Sequence, residues 1–237
     1  LTETAVKGVV SGELLARLQQ DEEVAAIYPA NSLQQGFIYH YVLQGDIDNA
    51  YRTQMVWHYR NAWDVELLIR AWQGSQAKYP ALRLRFCWQE EFVQIVDKQG
   101  TFGWQFIDIS EQDERARAST VAELIEQDQQ THFDLSASGL FRLYIVKCAD
   151  DHYICLFNNH HAILDGWSLP ILLNDVHQNY LALQQGSAPE QAADQSYLEA
   201  QALLQTVSQE TEQFWQNYLS GLEVQENLTG LLKPEMK

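Results

Sequence analysis

The sequence predicts an α/β protein in which helices pack on a mixed sheet. Short apolar runs of strand length, such as Tyr153 to Asn159, alternate with stretches whose apolar residues recur every three or four positions. The two periods are interspersed along the chain rather than segregated, which is the pattern of an α/β layer. With 237 residues, 46% of them hydrophobic, the chain has material for one sizeable core.

Residues 1 to about 22 are polar and weakly helical, with Leu14, Leu15 and Leu18 on one face, and read as a linker. Leu33 to Leu43 reads as a short helix and Tyr51 to Tyr59 as a strand. Asp64 is placed to cap a helix whose Val65, Leu68, Ile69 and Trp72 share a face. Leu82 to Trp88, Phe92 to Val96 and Trp104 to Ile107 read as strands, and Ala116 to Gln130 as a helix. Leu140 to Val146 and Tyr153 to Asn159 flank Ala149-Asp150-Asp151, the signature of a hairpin. Leu169, Leu172, Leu173, Val176, Tyr180 and Leu183 form a helical stripe. After a loop from Gly186 to Ala193 two more helices follow, the second with Trp215, Tyr218, Leu219 and Leu222 on one face.

Composition excludes several function classes. Lys plus Arg is 15 against 32 for Asp plus Glu, a net charge of −17, which argues against nucleic acid and against anionic membranes, both of which demand clustered cations. No apolar stretch approaches the roughly 20 residues that span a bilayer. Cys87, Cys148 and Cys155 are odd in number and lack metal-ligand spacing, so they read as buried free thiols in a reducing cytosol.

The chemistry concentrates in His160-His161-Ala162-Ile163-Leu164-Asp165-Gly166, at the end of the last apolar strand. Side chains alternate along a strand, so the two histidines are expected on opposite faces. A histidine there is a candidate general base because its unperturbed pKa lies near working pH. Zinc is disfavoured, since diverging neighbours do not supply three convergent ligands, and no metal is assigned. His40, His58, His132, His152 and His177 are scattered and read as ordinary surface or helix residues.

This motif, His-His-x-x-x-Asp-Gly, resembles that of the condensation domains of nonribosomal peptide synthetases and the related chloramphenicol acetyltransferase-type acyltransferases. Four further stretches resemble landmarks of condensation domains in the same order: Tyr28-Pro29 with Gln34-Gln35-Gly36; Lys78 to Phe86, which departs from the family pattern at Lys78, Tyr79 and Leu84; Phe133 to Arg142; and Phe214-Trp215 with Leu219-Ser220-Gly221. The resemblance implies a chloramphenicol acetyltransferase-like two-layer lobe. It places an upstream linker at 1–22, an N-terminal lobe at 23–222 and the start of a connection to a C-terminal lobe at 223–237.

The resemblance also implies a reaction. An acceptor amine attacks a donor thioester, each substrate borne on the phosphopantetheine arm of a peptidyl carrier protein, with no cofactor bound to the lobe itself. Its expected partners are donor and acceptor carrier proteins, the C-terminal lobe and neighbouring synthetase domains, in the cytoplasm. His161 is expected to face the reaction tunnel as base or amine-orienting group, and His160 to be structural. Asp165 is expected to pair with Arg142 rather than with His161. Gly166 would permit a tight turn and offer its N–H to an oxyanion, and Trp167 and Ser168 would line the tunnel. Relatives sharing the motif keep other readings open: an epimerisation domain, a free-standing acyltransferase using coenzyme A, or a non-catalytic module that docks carrier proteins.

Overall fold

The structure, a computed structural model, describes residues 11–20, 23–44, 50–188, 194–204 and 209–221. The chain divides into two units, Leu1–Gln201 and Ala202–Lys237.

The first unit is built on a four-stranded sheet in the order β2-β7-β6-β5. Its strands are β2 (Arg52–Tyr59), β5 (Gly103–Asp108), β6 (Phe141–Ala149) and β7 (His152–His160). β6 and β7 are the expected hairpin, closed by Asp150 and Asp151. β2 lies antiparallel to β7, whereas β5 lies parallel to β6, so the sheet is mixed. A parallel neighbour requires a crossover, usually helical, and α4 (Glu114–Gln130) provides it between β5 and β6.

One face of this sheet is the main core. Phe141, Leu143 and Ile145 of β6 and Cys155 and Phe157 of β7 point into it, and all are at most 1% exposed. Two helices cover that face. Helix α3 (Val65–Lys78) begins where Asp64 accepts a hydrogen bond from the Leu67 N–H at 3.0 Å, as expected of a cap, and buries Leu68, Ile69 and Trp72. Helix α5 (Ser168–Gln184) buries Leu169, Leu172, Val176, Tyr180 and Leu183. Trp72 stacks on Phe157 with ring centroids 5.3 Å apart. α4 covers the opposite face, where Val121 and Leu124 meet Val146, Cys148 and Ile154.

A second, antiparallel sheet runs β1-β4-β3, formed by β1 (Val24–Pro29), β4 (Val93–Asp97) and β3 (Leu84–Cys87). β3 follows a 3₁₀ turn at Pro80–Arg83. β1 is a strand that the sequence pattern does not anticipate. It lies at the sheet edge, where Pro29 need not donate to a ladder. The stretch read as a linker contains α1 (Gly12–Gln19), whose Leu14 and Leu18 are buried against Ile27, Val93 and Ile95. Leu1 to Val10 of that stretch lie outside the described residues. Helix α2 (Ser32–Gln44) opens with a reciprocal cap, Gln34 N–H to Asn31 Oδ1 at 2.9 Å and Asn31 N–H to Gln34 Oε1 at 3.0 Å. α6 (Ser196–Leu204) carries Tyr197 and Leu198 onto the main core.

The second unit holds α7 (Gln209–Leu219), in which Phe214 stacks on Tyr218 at 5.8 Å. Leu222, the last residue of the expected stripe, lies outside the described residues, as do 189–193 of the expected loop. Among the described residues no helix is long and apolar enough to cross a membrane.

Candidate active site

The histidine pair sits where β7 ends. His160 is the last residue of the strand, paired across the ladder with Arg52, and is 6% exposed. Its Nδ1 accepts a hydrogen bond from the Ala162 N–H at 3.1 Å, which requires the neutral ring. Burial first, then the neighbouring His161 and Arg52, pull its pKa down to about 4.

His161 lies one step beyond, in the turn, and is half-buried. Its backbone N–H donates to the Tyr51 carbonyl at 2.7 Å. Its Nδ1 is 2.8 Å from the Leu164 carbonyl oxygen. A carbonyl can only accept, so Nδ1 carries a proton, and in the neutral ring Nε2 keeps its lone pair. Phe37 of α2 stacks on the ring, 5.7 Å between centroids and 25° between planes. Phe37 also meets His160 edge-on at 6.1 Å. The two rings thus share a neighbour, contrary to the expected division between opposite faces. Strand alternation stops applying once His161 has left the strand.

The expected Arg142–Asp165 pair does not form. Arg142 shares one face of β6 and β7 with Asn158, its register partner, and with Gln54 opposite Asn158 on β2. All three converge on Asp128 of α4, whose side chain is fully buried. Arg142 Nε is 2.9 Å from Asp128 Oδ1, and Gln54 Nε2 and Asn158 Nδ2 donate to Oδ2. Arg142 also donates to the Thr131 carbonyl at 2.9 Å and lies over the Phe133 ring at 4.0 Å. The partner that sequence could not supply is a helical aspartate with no spacing signal linking it to β6.

Asp165 is instead exposed and local. Its Oδ1 accepts from the Ser168 hydroxyl at 2.6 Å and from the Ser168 N–H at 2.8 Å, closing the turn into α5. Those two bonds hold its carboxyl below the usual range. Gly166 has no left-handed backbone, and a Cβ added there would meet nothing within 4 Å. The tight-turn reason for a glycine at that position therefore does not hold. Trp167 is 88% exposed beside it.

Behind the turn lies a polar stitch that sequence reasoning missed. Gln34, buried, donates through Nε2 to Gln94 Oε1 at 3.2 Å and to the Ala162 carbonyl at 3.5 Å. Gln94 in turn donates to the Pro29 carbonyl and to Gln201, and the Tyr197 hydroxyl donates to it. The Asn-x-x-Gln cap was the available signal for Gln34. On the other side, Ile163 and Leu164 line a cavity of about 310 Å³ with Tyr79, Leu82, Ile171 and Tyr197. Lys78 departs from the family pattern but is structurally engaged, its ammonium held by Asp175 of α5.

The remaining histidines are less scattered than the sequence implied. His58 Nδ1 and His152 Nε2, on adjacent strands, are 2.9 Å apart. The Tyr59 hydroxyl lies 2.7 Å from His177 Nε2. The three cysteines are all free and lie in strands.

Comparison with known proteins bears on the family and the fold. The chain is 40% identical over 210 residues to N-(5-amino-5-carboxypentanoyl)-L-cysteinyl-D-valine synthase of Amycolatopsis lactamdurans, covering 88% of this chain and 6% of that protein. It is 36% identical over 216 residues to the synthase of the same name from Penicillium chrysogenum, covering 91% of this chain and 6% of that protein. The chain thus spans well under a tenth of the length of these relatives. The fold matches a mutant of the starter condensation domain of rhizomide synthetase with a TM-score of 0.71 at 18% identity, covering 83% of this chain and 49% of that one. It also matches the first condensation domain of the calcium-dependent antibiotic synthetase, with a TM-score of 0.69 at 18% identity and the same two coverages. Since the family model described as Condensation domain matches residues 24–235, nearly the whole chain, the protein belongs to the condensation domain family.

Proposed function

We propose that this chain forms one wall of a site for amide bond formation in nonribosomal peptide synthesis, with His161 as the group that handles the proton. The observation that carries the reading is the fixed ring of His161, with Nδ1–H committed to Leu164 and Nε2 left with its lone pair. The acceptor amine attacks the donor thioester carbon, a C–N bond forms and the C–S bond breaks. The nitrogen becomes strongly acidic on attack; its proton passes to Nε2 and from there to the departing sulfur, which leaves as thiol. An α-amino group with a pKa of about 7.7–8.0 is partly neutral at working pH, so the base acts chiefly after attack, and alignment of the two reactants supplies much of the rate.

Asp165 takes no part in moving this proton in our reading, because it is exposed and its Oδ1 is engaged by the Ser168 N–H and hydroxyl. His160 stays neutral and structural. Gly166, Trp167 and Ser168 border the passage along which the substrates arrive, on the phosphopantetheine arms of donor and acceptor carrier proteins. The opposite wall belongs to the half of the matched domains that this chain does not span, and the assembly works in the cytoplasm.

The relatives' names suggest the first substrates to try: 5-amino-5-carboxypentanoyl, cysteinyl and valyl thioesters. The test is His161→Ala in the synthetase polypeptide that carries this chain, with carrier-loaded donor and acceptor. Amide product is expected to fall about 100-fold or more with an unchanged melting midpoint. Undiminished product would overturn the reading. An inverted stereocentre in place of a new amide would reassign the chain to epimerisation.

A further inference from the structure

We propose that Tyr51 is a positioning residue for His161, and that its left-handed backbone is what aims its carbonyl at the His161 N–H. The proposal rests on the proton-handling role given to His161 above. Among the described residues Tyr51 is the one non-glycine residue with positive φ, at 61°. A bulky side chain seldom adopts that conformation, and it persists where the surroundings over-determine it. Here they do. The Tyr51 ring lies 4.6 Å from Phe37 and meets the edge of His40 at 5.0 Å. The very next residue, Arg52, starts β2 opposite His160. The chain therefore reverses its local hand immediately before the ladder begins. The Tyr51 carbonyl lands 2.7 Å from the N–H of the residue just past the end of β7.

The consequence for His161 is a three-point mount. Tyr51 fixes its backbone, Leu164 fixes its Nδ1, and Phe37 covers one ring face. Phe37 is 5% exposed and packed into the main core, so residue 51 enters the mount through its carbonyl. Without the Tyr51 carbonyl, His161 would swing about the end of the strand and the bond to Leu164 would lose its geometry. Nε2 would then no longer point in one direction.

The test separates backbone from ring, because two variants that both lack the ring differ in how readily they take positive φ. Glycine adopts it freely and asparagine tolerates it. A β-branched residue resists it. Tyr51→Gly and Tyr51→Asn are expected to hold kcat within about threefold of wild type. Tyr51→Val is expected to lose kcat about 10- to 100-fold with KM within about twofold. The second readout needs no turnover: long-range ¹⁵N–¹H spectra of the chain, with the His161 signal assigned through His161→Gln. Wild type, Tyr51→Gly and Tyr51→Asn should show a proton on Nδ1 alone, and Tyr51→Val a mixture of tautomers. If Tyr51→Val fails to fold, Tyr51→Ala, strained to a lesser degree, takes its place in both measurements. A wild-type spectrum from Tyr51→Val or its replacement would overturn the proposal, as would a Tyr51→Gly as impaired as Tyr51→Val. A changed spectrum with unchanged amide formation would uphold the mount and remove His161 from the chemistry.

Discussion

The carbonyl oxygen of Leu164 and Nδ1 of His161, three residues apart in one turn, are 2.8 Å apart and fix the histidine tautomer from within the motif. In a conventional dyad a carboxylate would occupy that position and stabilise a positively charged ring. A neutral carbonyl orients the ring without placing a charge beside it.

That difference separates a base from a mere amine-orienting group. His161→Gln places an amide near the position of Nε2 but cannot take up a proton. If His161 is a base, Gln should be as inactive as Ala, with amide formation about 100-fold or more below wild type. Recovery of most of the rate by Gln alone would mean that the histidine only orients the amine. Single-turnover assays with preloaded carriers make the comparison.

His160 predicts a stability profile with a defined window. Its pKa is about 4 in the folded chain and about 6.5 when unfolded. Between those values the unfolded state binds more protons. Stability is therefore fully present above about pH 6.5 and is lost as pH falls toward 4, by about 3 kcal/mol in all. Below pH 4 this contribution changes no further, and carboxylates such as Asp165, held low by Ser168, take over. Urea unfolding at stepped pH values should show the loss in wild type and little of it in His160→Asn.

Arg142 and Asp165, paired in expectation, should behave quite differently when altered. Asp128→Ala leaves Arg142, Asn158 and Gln54 with buried donors and should cost about 3–5 kcal/mol. Asp165→Ala removes only the closure of an exposed turn and should cost about 1 kcal/mol. Equal losses in calorimetry would show that Asp165 has a buried partner after all.

Leu14→Ala tests whether the N-terminal segment is part of the core. Leu14 is fully buried against β1 and β4, so truncation should cost about 2–5 kcal/mol. A true linker would lose nothing measurable in chemical denaturation.

The periodic elements were legible because burial on one face writes itself into sequence. The α5 stripe, the Asp64 cap and the β6–β7 hairpin all lie where the pattern puts them. β1 was missed because Val24 to Pro29 is a short edge strand ending in proline, and such a segment carries little alternation. At the site, the motif marked His160 and His161, but not their supports. Asp128 meets Arg142 through register across three strands. Tyr51 reaches His161 through a backbone atom that no side-chain pattern encodes. Gln34 spends its amide on two segments far away in sequence.

The pairing of β2 with β7 has a kinetic corollary. The β6–β7 hairpin closes over a two-residue turn and can form in microseconds. Arg52 and His160, by contrast, meet across more than a hundred residues of chain. Closing so long a loop carries a large entropic cost, which only later contacts repay. The hairpin that bears the histidines should therefore exist, in folding, before the strand that orients them. Substitutions in β2 such as Val56→Ala should then leave the folding rate nearly unchanged and speed unfolding, while Leu143→Ala slows folding. On that ordering, the reactive geometry of His161 is among the last features the chain acquires and among the first it gives up.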